Sequence, residues 1–400
     1  MQIGVLLNHY EPHQVPHVAP YGFALSRLRP DWRVRILCST RAEAEFAAEI
    51  GARYPGHSAS IERIRAPLWA EAIDPIARHV AFTRKVAVQK ANRGLFAEFD
   101  ALIVPELTSL VLREDPRLAG VKLIFTGHGA GDGYNSTQGA GNGPNNAIGM
   151  FDPRVEHFDM VLLQGAKIAG ELTALGRFRT TPYAIAGYPK FEIGDVAADS
   201  KRRLFDNDRP TVLYNPTQNA EKTSWHLCGA RVLEFFRDHA DDYNLIFAPH
   251  VLLFKRALSR GARLRKPPGL GSNVRIDLGS RASVDMTYLR AADIYLGDQS
   301  SQIYEFIDWP RPSVFLNPHR FAWRDHPAYV SWRMGPVIED VADLGAALVD
   351  AQARFDSDFR PVQTALRNHS FLRGDEPASC RGARAIAEFM ETGRLGPEWH

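Results

Sequence analysis

The chain has 400 residues, 45% of them apolar and 24% charged, with a formal net charge of +2. That length exceeds one typical domain and suits two of about 200 residues each, and the composition excludes a disordered chain. The near-neutral charge excludes binding to nucleic acid or anionic lipid as a property of the whole surface, and Cys38, Cys228 and Cys380 lie too far apart for a disulfide framework or a paired metal-ligand spacing.

The chain starts with Met1-Gln2-Ile3-Gly4-Val5-Leu6-Leu7, whose short apolar run lacks a basic leader and does not read as a signal peptide. No run approaches the about 20 apolar residues that span a bilayer. The expectation is a cytoplasmic protein that touches the inner face of a membrane at most peripherally.

In chain order, the buried-type strands expected first are Ile3–Leu7, Val34–Cys38, Ala101–Val104, Lys122–Phe125, Met160–Leu163 and Tyr183–Ala186. Helical patterns fall between them at Pro20–Leu28, Arg41–Ile50, a long stretch Asp74–Phe99, and Ala166–Leu175. Pro12, Pro16 and Pro20 argue against a helix that would align His9, His13 and His17, so these histidines are not read as a metal site, although some of them could line the cleft because they follow the first strand. The polar stretch Gly194–Pro210, with a short helix near Asp199–Leu204, reads as a linker.

A second alternating set follows. Its strands are Thr211–Tyr214, Leu245–Ala248, Val274–Leu278, Asp293–Leu296 and Ser313–Leu316; its helices are Trp225–His239, Val284–Arg290, Gln302–Ile307 and Val341–Ala353. Strands of this composition separated by helices imply parallel sheets covered on both faces. The expected division is 1–193, a linker 194–210, 211–375, and a C-terminal segment 376–400 whose helix, Ala383–Glu391, packs back on the first domain. Two doubly wound, Rossmann-like domains with a cleft between them form a GT-B-like α/β architecture, and ligands bind such sheets beyond the carboxyl strand ends.

The candidate chemistry sits at those ends. Gly297-Asp298-Gln299-Ser300-Ser301-Gln302-Ile303-Tyr304-Glu305 joins a strand to a helix, so the serine hydroxyls and unpaired backbone N–H groups converge where a phosphate or diphosphate binds. Glu305 is placed to accept hydrogen bonds from ribose hydroxyls. Thr126-Gly127-His128-Gly129-Ala130-Gly131-Asp132 follows another strand; His128 there can take a proton from an attacking hydroxyl. Gly129, Gly131 and Asp132 form the expected acceptor loop, part of the segment Gly127–Gly149 with its eight glycines.

Gly187-Tyr188-Pro189 makes a tight turn at the end of the first domain. Asn215, Thr217 and Gln218 offer polar groups after the first strand of the second. His250 follows a strand end and can bind a phosphoryl oxygen. Lys255, Arg256, Arg260, Arg263, Arg265 and Lys266 form a basic run, read as a solvated helix face with peripheral membrane contact as its functional alternative. There is no G-x-x-x-x-G-K-[S/T] loop, no G-x-G-x-x-G after the first strand and no G-x-S-x-G elbow.

Taken in order, His-Gly at 128–129, Gly-Tyr-Pro at 187–189, Leu-Tyr-x-Pro-Thr at 213–217, Pro-His at 249–250 and Asp-x-Ser-Ser with Tyr-Glu at 298–305 resemble the CDP-glycerol glycerophosphotransferase family, the teichoic-acid polymerase type of GT-B transferase. The resemblance covers residues 120 to 320. It implies His128 as base on the acceptor hydroxyl. His250, Ser300 and Ser301 would hold the diphosphate of a CDP-linked donor, with Asp298 and Gln299 shaping that loop. Asn215, Thr217 and Glu305 would line the donor pocket. It implies a glycan or lipid-linked acceptor in the cell envelope, no metal, no cofactor and no nucleic acid.

The chain departs from that pattern in the long Gly/Asn loop after His128, in Pro249 preceding His250, and in Gln299 and Gln302 beside the serines. The serine segment also resembles the corresponding loop of UDP-N-acetylglucosamine 2-epimerases and sugar transferases that use UDP- or GDP-sugars. A non-catalytic nucleotide- or glycan-binding relative is the third expectation.

Overall fold

The computed structural model describes residues 1–9, 12–77, 83–130, 149–193, 204–254, 264 and 266–400. Gly131 and Asp132, most of the proposed linker, and all of the basic run except Lys266 lie outside the described residues. The chain divides into two compact units, Met1–Ile193 with His369–His400, and Gly194–Asn368.

Unit 1 runs β1 (Gln2–Leu7), α1 (Val15–Leu28), β2 (Arg33–Cys38), α2 (Arg41–Gly51), β3 (Ser60–Arg63), α3 (Leu68–Ala77), α4 (Thr83–Ala91), α5 (Arg93–Phe96), β4 (Ala101–Val104), β5 (Lys122–Phe125), β6 (Met160–Leu163), α6 (Ala166–Ala174) and β7 (Tyr183–Ile185). Its strands lie in the order β3-β2-β1-β4-β5-β6-β7, and each described pairing is parallel. β4 and β6 are buried along their whole length, because helices cover both faces. Leu102, Val104, Leu123, Phe125, Val161 and Leu163 build one core with Phe96, Phe99 and Phe158.

Unit 2 runs β8 (Thr211–Asn215), α7 (Trp225–Asp238), β9 (Asn244–Phe247), β10 (Val274–Ile276), α8 (Thr287–Ala291), β11 (Ile294–Gly297), α9 (Gln302–Phe306), β12 (Ser313–Leu316), β13 (Val337–Ile338), α10 (Leu344–Ala353) and α11 (Arg360–Ser370). The order is β10-β9-β8-β11-β12-β13, again with parallel pairings. Val212, Tyr214, Leu245, Phe247, Ile294, Leu296, Val314 and Leu316 pack against Trp225, Val232 and Phe236 of α7. The fold is α/β with two doubly wound parallel sheets, as the alternation of apolar runs and helices implies.

Several elements differ from the expectation. α1 starts at Val15, not at Pro20: Pro16 sits in its first turn, where no N–H partner is needed, and Pro20 inside the helix forfeits one hydrogen bond that burial outweighs. The long helix expected over Asp74–Phe99 is instead divided among α3, α4 and α5. Asn92 separates the last two, its side-chain amide bonding the carbonyls of Val88 and Arg65 at 2.7 Å each. β3 and β13 are short edge strands without a buried run, and the apolar pattern misses both.

The C-terminal helix α12 (Ala378–Thr392) packs on α1 within unit 1. Ser379 donates to Glu192, and Arg29 pairs with Glu391 at 2.6 Å. The packing is close at Gly382, where an added Cβ would stand 2.2 Å from Cε1 of buried Tyr21. No helix among the described residues is long and apolar enough to cross a membrane. Gly382→Ala is expected to lower stability by about 1–3 kcal/mol through overpacking, read as a fall in the denaturation midpoint; an unchanged midpoint would show that the α1–α12 contact tolerates a methyl group.

Candidate functional site

In unit 2 the central strands β9, β8 and β11 are neighbours, in register at Phe247–Tyr214 and Asn215–Gly297. Their exit loops therefore emerge side by side, carrying Asn215–Thr217, Ala248–His250 and Asp298–Ser301. The Asp298 carboxylate ties them together. One oxygen accepts the N–H of Thr217 at 2.8 Å; the other accepts the N–H and hydroxyl of Ser224 at 2.6 and 2.8 Å. Ser224 precedes α7 and also bonds the buried Tyr214 hydroxyl at 2.9 Å. Asp298 is 1% exposed. Burial pushes its carboxyl up to about 6, against the downward pull of the Ser224 and Thr217 hydrogen bonds.

Asn215 makes the next link. Its amide donates to the carbonyl of Ala248 at 2.5 Å, and its oxygen accepts the Ser300 hydroxyl at 3.3 Å. The N–H of His250 reaches the carbonyl of Pro216 at 3.0 Å. Gln299 donates to the carbonyl of Ala328 at 2.8 Å. Asn215, Asp298, Gln299 and Glu305 are thus buried, and the first three brace loops; Glu305 offers little surface to a ligand arriving from solvent. Thr217, His250 and Ser300 are half-buried and Ser301 is exposed, so these four form the accessible polar rim.

Ser301 is the residue before α9 but makes no side-chain capping bond; the Ser300 hydroxyl accepts the N–H of Gln302 at 3.3 Å instead. His250 Nδ1 accepts the N–H of Leu252 at 3.2 Å. That fixes the neutral tautomer with its proton on Nε2, making His250 a hydrogen-bond donor.

In unit 1 the neighbouring strands β1, β4, β5 and β6 deliver Asn8–His9, Pro105–Glu106, Thr126–His128 and Gln164 to one edge. His128 is half-buried, and its Nδ1 lies 3.1 Å from the carbonyl of Pro105. A carbonyl only accepts, so the proton is on Nδ1 and Nε2 carries the lone pair of a base. Burial lowers the imidazole's proton affinity, Glu106 and the Pro105 carbonyl oppose that, and Lys85 reinforces it. Gly127 takes a φ of 63°, which glycine tolerates, and the carbonyl of Gly129 accepts the Gln164 amide.

Of what surrounds His128, the sequence offered the histidines that follow the first strand as lining residues and missed Glu106 and Lys85. The rings of His9 and His13 lie 6.3 and 5.8 Å from it and 4.3 Å from one another. Glu106 pairs with Lys85 at 2.5 Å, accepts the Gln14 amide at 2.5 Å and stands 3.5 Å from His9 Nε2. Burial would raise the Glu106 carboxyl, but Lys85 first, then His128 and the hydrogen bonds of Lys85 and Gln14, hold it below its ordinary value. The N–H of His9 is held by Glu43 at 2.7 Å. His17 faces Tyr188 with ring centroids 5.2 Å apart, and burial drives its proton affinity well down. Among the described residues no group of three or more His, Cys, Asp or Glu side chains is arranged to hold a metal ion. The sheet order, unseen in sequence, brings His9 and Glu106 to His128; the only available signal was that each follows an apolar strand.

No protein-family model matches the chain, and no curated protein matches it. Solved structures do. The wall teichoic acid polymerase TagF is similar over 98% of this chain and 90% of its own, at TM-score 0.64 and 12% identity. A UDP-N-acetylglucosamine 2-epimerase is similar over 99% of this chain and 97% of its own, at TM-score 0.56 and 11% identity. S. aureus MnaA, solved with UDP, matches over 98% and 96%, at TM-score 0.55 and 10% identity. These neighbours are GT-B enzymes, and the likeness gives this chain their fold.

Asp298→Asn keeps the shape but replaces one acceptor oxygen by an NH2 that faces N–H donors. A loss of about 2–3 kcal/mol is expected, measured by denaturation of the purified variant. The wild-type group binds a proton in the folded chain below about 6 and in the unfolded chain only near its ordinary 3.8. Between those values its contribution to stability therefore grows as pH falls. The difference between wild type and variant should follow that slope; a flat difference would show that Asp298 stays ionised throughout.

Proposed function

We propose that the chain is a nucleotide-diphosphate-dependent transferase that moves a glycerol-phosphate-like unit from a CDP-linked donor to a hydroxyl of a cell-envelope glycan or lipid. The observation that carries this reading is the opposite protonation of two strand-end histidines. His128 Nδ1 meets the Pro105 carbonyl, which places its proton there, whereas His250 Nδ1 accepts an N–H, which places its proton on Nε2.

The chemistry follows from that division of labour. His128 Nε2 takes the proton of the acceptor hydroxyl. The acceptor oxygen forms a bond to the phosphorus that bears the polyol, the bond from that phosphorus to the CMP oxygen breaks, and CMP leaves. Binding of a diphosphate is assigned separately to the second sheet, to His250 and the Ser300 and Ser301 hydroxyls, with Thr217 alongside. Asn215, Asp298 and Gln299 keep those donors in place and need not touch the donor themselves.

A second reading is an epimerase acting on a UDP-sugar. The rings of His9 and His13 beside His128 favour it, because removing and returning a proton at one carbon uses more than one acid–base group. The TagF likeness and the ordered motif set support the transferase; the likeness to a UDP-N-acetylglucosamine 2-epimerase, and to MnaA solved with UDP, supports the epimerase.

Thermal shift with CDP, UDP, GDP and CMP separates the readings, since a ligand at 100 times its Kd stabilises by about 2.7 kcal/mol. A preference for cytidine nucleotides and transfer from CDP-glycerol are expected. A uridine preference with no transfer would overturn the proposal. His128→Ala is expected to cut turnover by about 10²–10⁴-fold while leaving the CDP shift intact, and Ser300→Ala to shrink the shift itself. Full function in His128→Ala would mean a non-catalytic binder.

A further inference from the structure

Glu106 lies two residues beyond β4, the strand next to β5 that leads to His128, and has no part in the motif set. Its Oε1 takes Lys85 Nζ and Gln14 Nε2, each at 2.5 Å, and its Oε2 takes the Thr108 hydroxyl at 3.0 Å. The Lys85 side chain is 3% exposed and that of Glu106 is 11% exposed. A buried ion pair is weak evidence for stability, since apolar residues of equal volume serve as well. This pair sits against imidazoles. His9 Nε2 is 3.5 Å from Glu106 Oε1, and the carbonyl that fixes the His128 tautomer belongs to Pro105, the residue before Glu106.

We propose that Glu106 is a positioning residue for His128, whose fixed negative charge stabilises the imidazolium formed when His128 takes a proton. This rests on the transferase reading above. The acceptor O–H bond breaks and its proton moves to His128 Nε2; the acceptor oxygen uses its electron pair to bond phosphorus as CMP departs. The new positive charge on His128 is then opposed by the field of a carboxylate at the adjacent strand end, already ordered by Lys85, Gln14 and Thr108, so no reorganisation is needed as the proton moves. Pro105 and Glu106 act as one device: the first sets which nitrogen is the base, the second meets the charge it acquires.

The charged and titratable groups around His128 are Glu106 from β4, Lys85 from α4, His9 from the β1 exit, and His13 and His17 from the start of α1 and the segment before it. Glu43 of α2 holds the His9 main chain. Glu106 raises the proton affinity of His128 and Lys85 lowers it.

The test combines a donor-free and a kinetic measurement. In the full chain with isotope-labelled histidines, His128 is assigned by comparison with His128→Ala and titrated by NMR. Glu106→Gln should shift its midpoint to lower pH; an unmoved midpoint overturns the inference whatever the donor is. With CDP-glycerol and a hydroxyl acceptor, Glu106→Gln should lower kcat by about 10–100-fold with donor KM within about twofold. The acid limb of the pH–rate profile should move down with the midpoint.

Glu106→Asp keeps the charge and a partner for Lys85 and should fold even where Glu106→Gln does not. Its kcat should fall by only about three- to tenfold, and by nothing further in a His128→Ala background. An equal loss in both backgrounds would show a structural role and overturn the inference. Absence of any transfer from CDP-glycerol, with the midpoint still shifted, would instead count against the transferase reading alone.

Discussion

The second unit depends on one buried carboxylate. Asp298 satisfies two backbone N–H groups and a hydroxyl from loops that leave different elements. Strand ends in a parallel sheet leave N–H groups without ladder partners, and buried donors without acceptors cost free energy. A single side chain with several acceptor positions solves that for Thr217 and Ser224 together. Because β8 and β11 are adjacent, the solution is local, and it leaves Ser300, Ser301 and His250 with accessible polar atoms around a fixed centre.

Unit 1 places a carboxylate in the corresponding position, at a central strand end, with the opposite electrostatics. Asp298 is met by neutral donors, and burial lifts its proton affinity. Glu106 is met by the Lys85 ammonium, and its proton affinity falls. The first arrangement organises loops at the cost of a less secure charge. The second secures a charge in a place water barely reaches, where its field on nearby imidazoles is weakly screened. The same residue class thus serves a mechanical purpose in one sheet and an electrostatic one in the other.

The parallel sheets were legible because buried strands in such sheets are apolar runs, and Ala101–Val104 or Ile294–Leu296 can be little else. The edge strands were not: Ser-Ile-Glu-Arg of β3 is half exposed and has no such run. Prolines misled the reading of the first helix, since Pro16 sits where a helix accepts it and burial of Val15, Val18, Phe23 and Leu25 overrides the defect at Pro20. The site divided similarly. Residues carried on a dense local motif, Asp298 through Ser301 and His128, could be named from the chain. Glu106 could not, because what makes it a candidate is its place after β4 beside β5, which no local pattern states.

That division explains how a 12% identical neighbour can share the fold at TM-score 0.64. The fold needs apolar runs at the right intervals, a condition many sequences meet. Chemistry needs particular atoms, and fold likeness does not supply them. TagF and a UDP-N-acetylglucosamine 2-epimerase share this architecture while their names point to different reactions. What this chain adds to that fold is protonation and charge at the strand ends. In this chain those are a lone pair on His128, a proton on His250, and an anionic Glu106. An imidazole held in one tautomer beside a fixed carboxylate is biased toward receiving a proton, while an imidazole that already donates from Nε2 is suited to an anion. Two hydrogen bonds set these tautomers, from His128 to the Pro105 carbonyl and from the Leu252 N–H to His250.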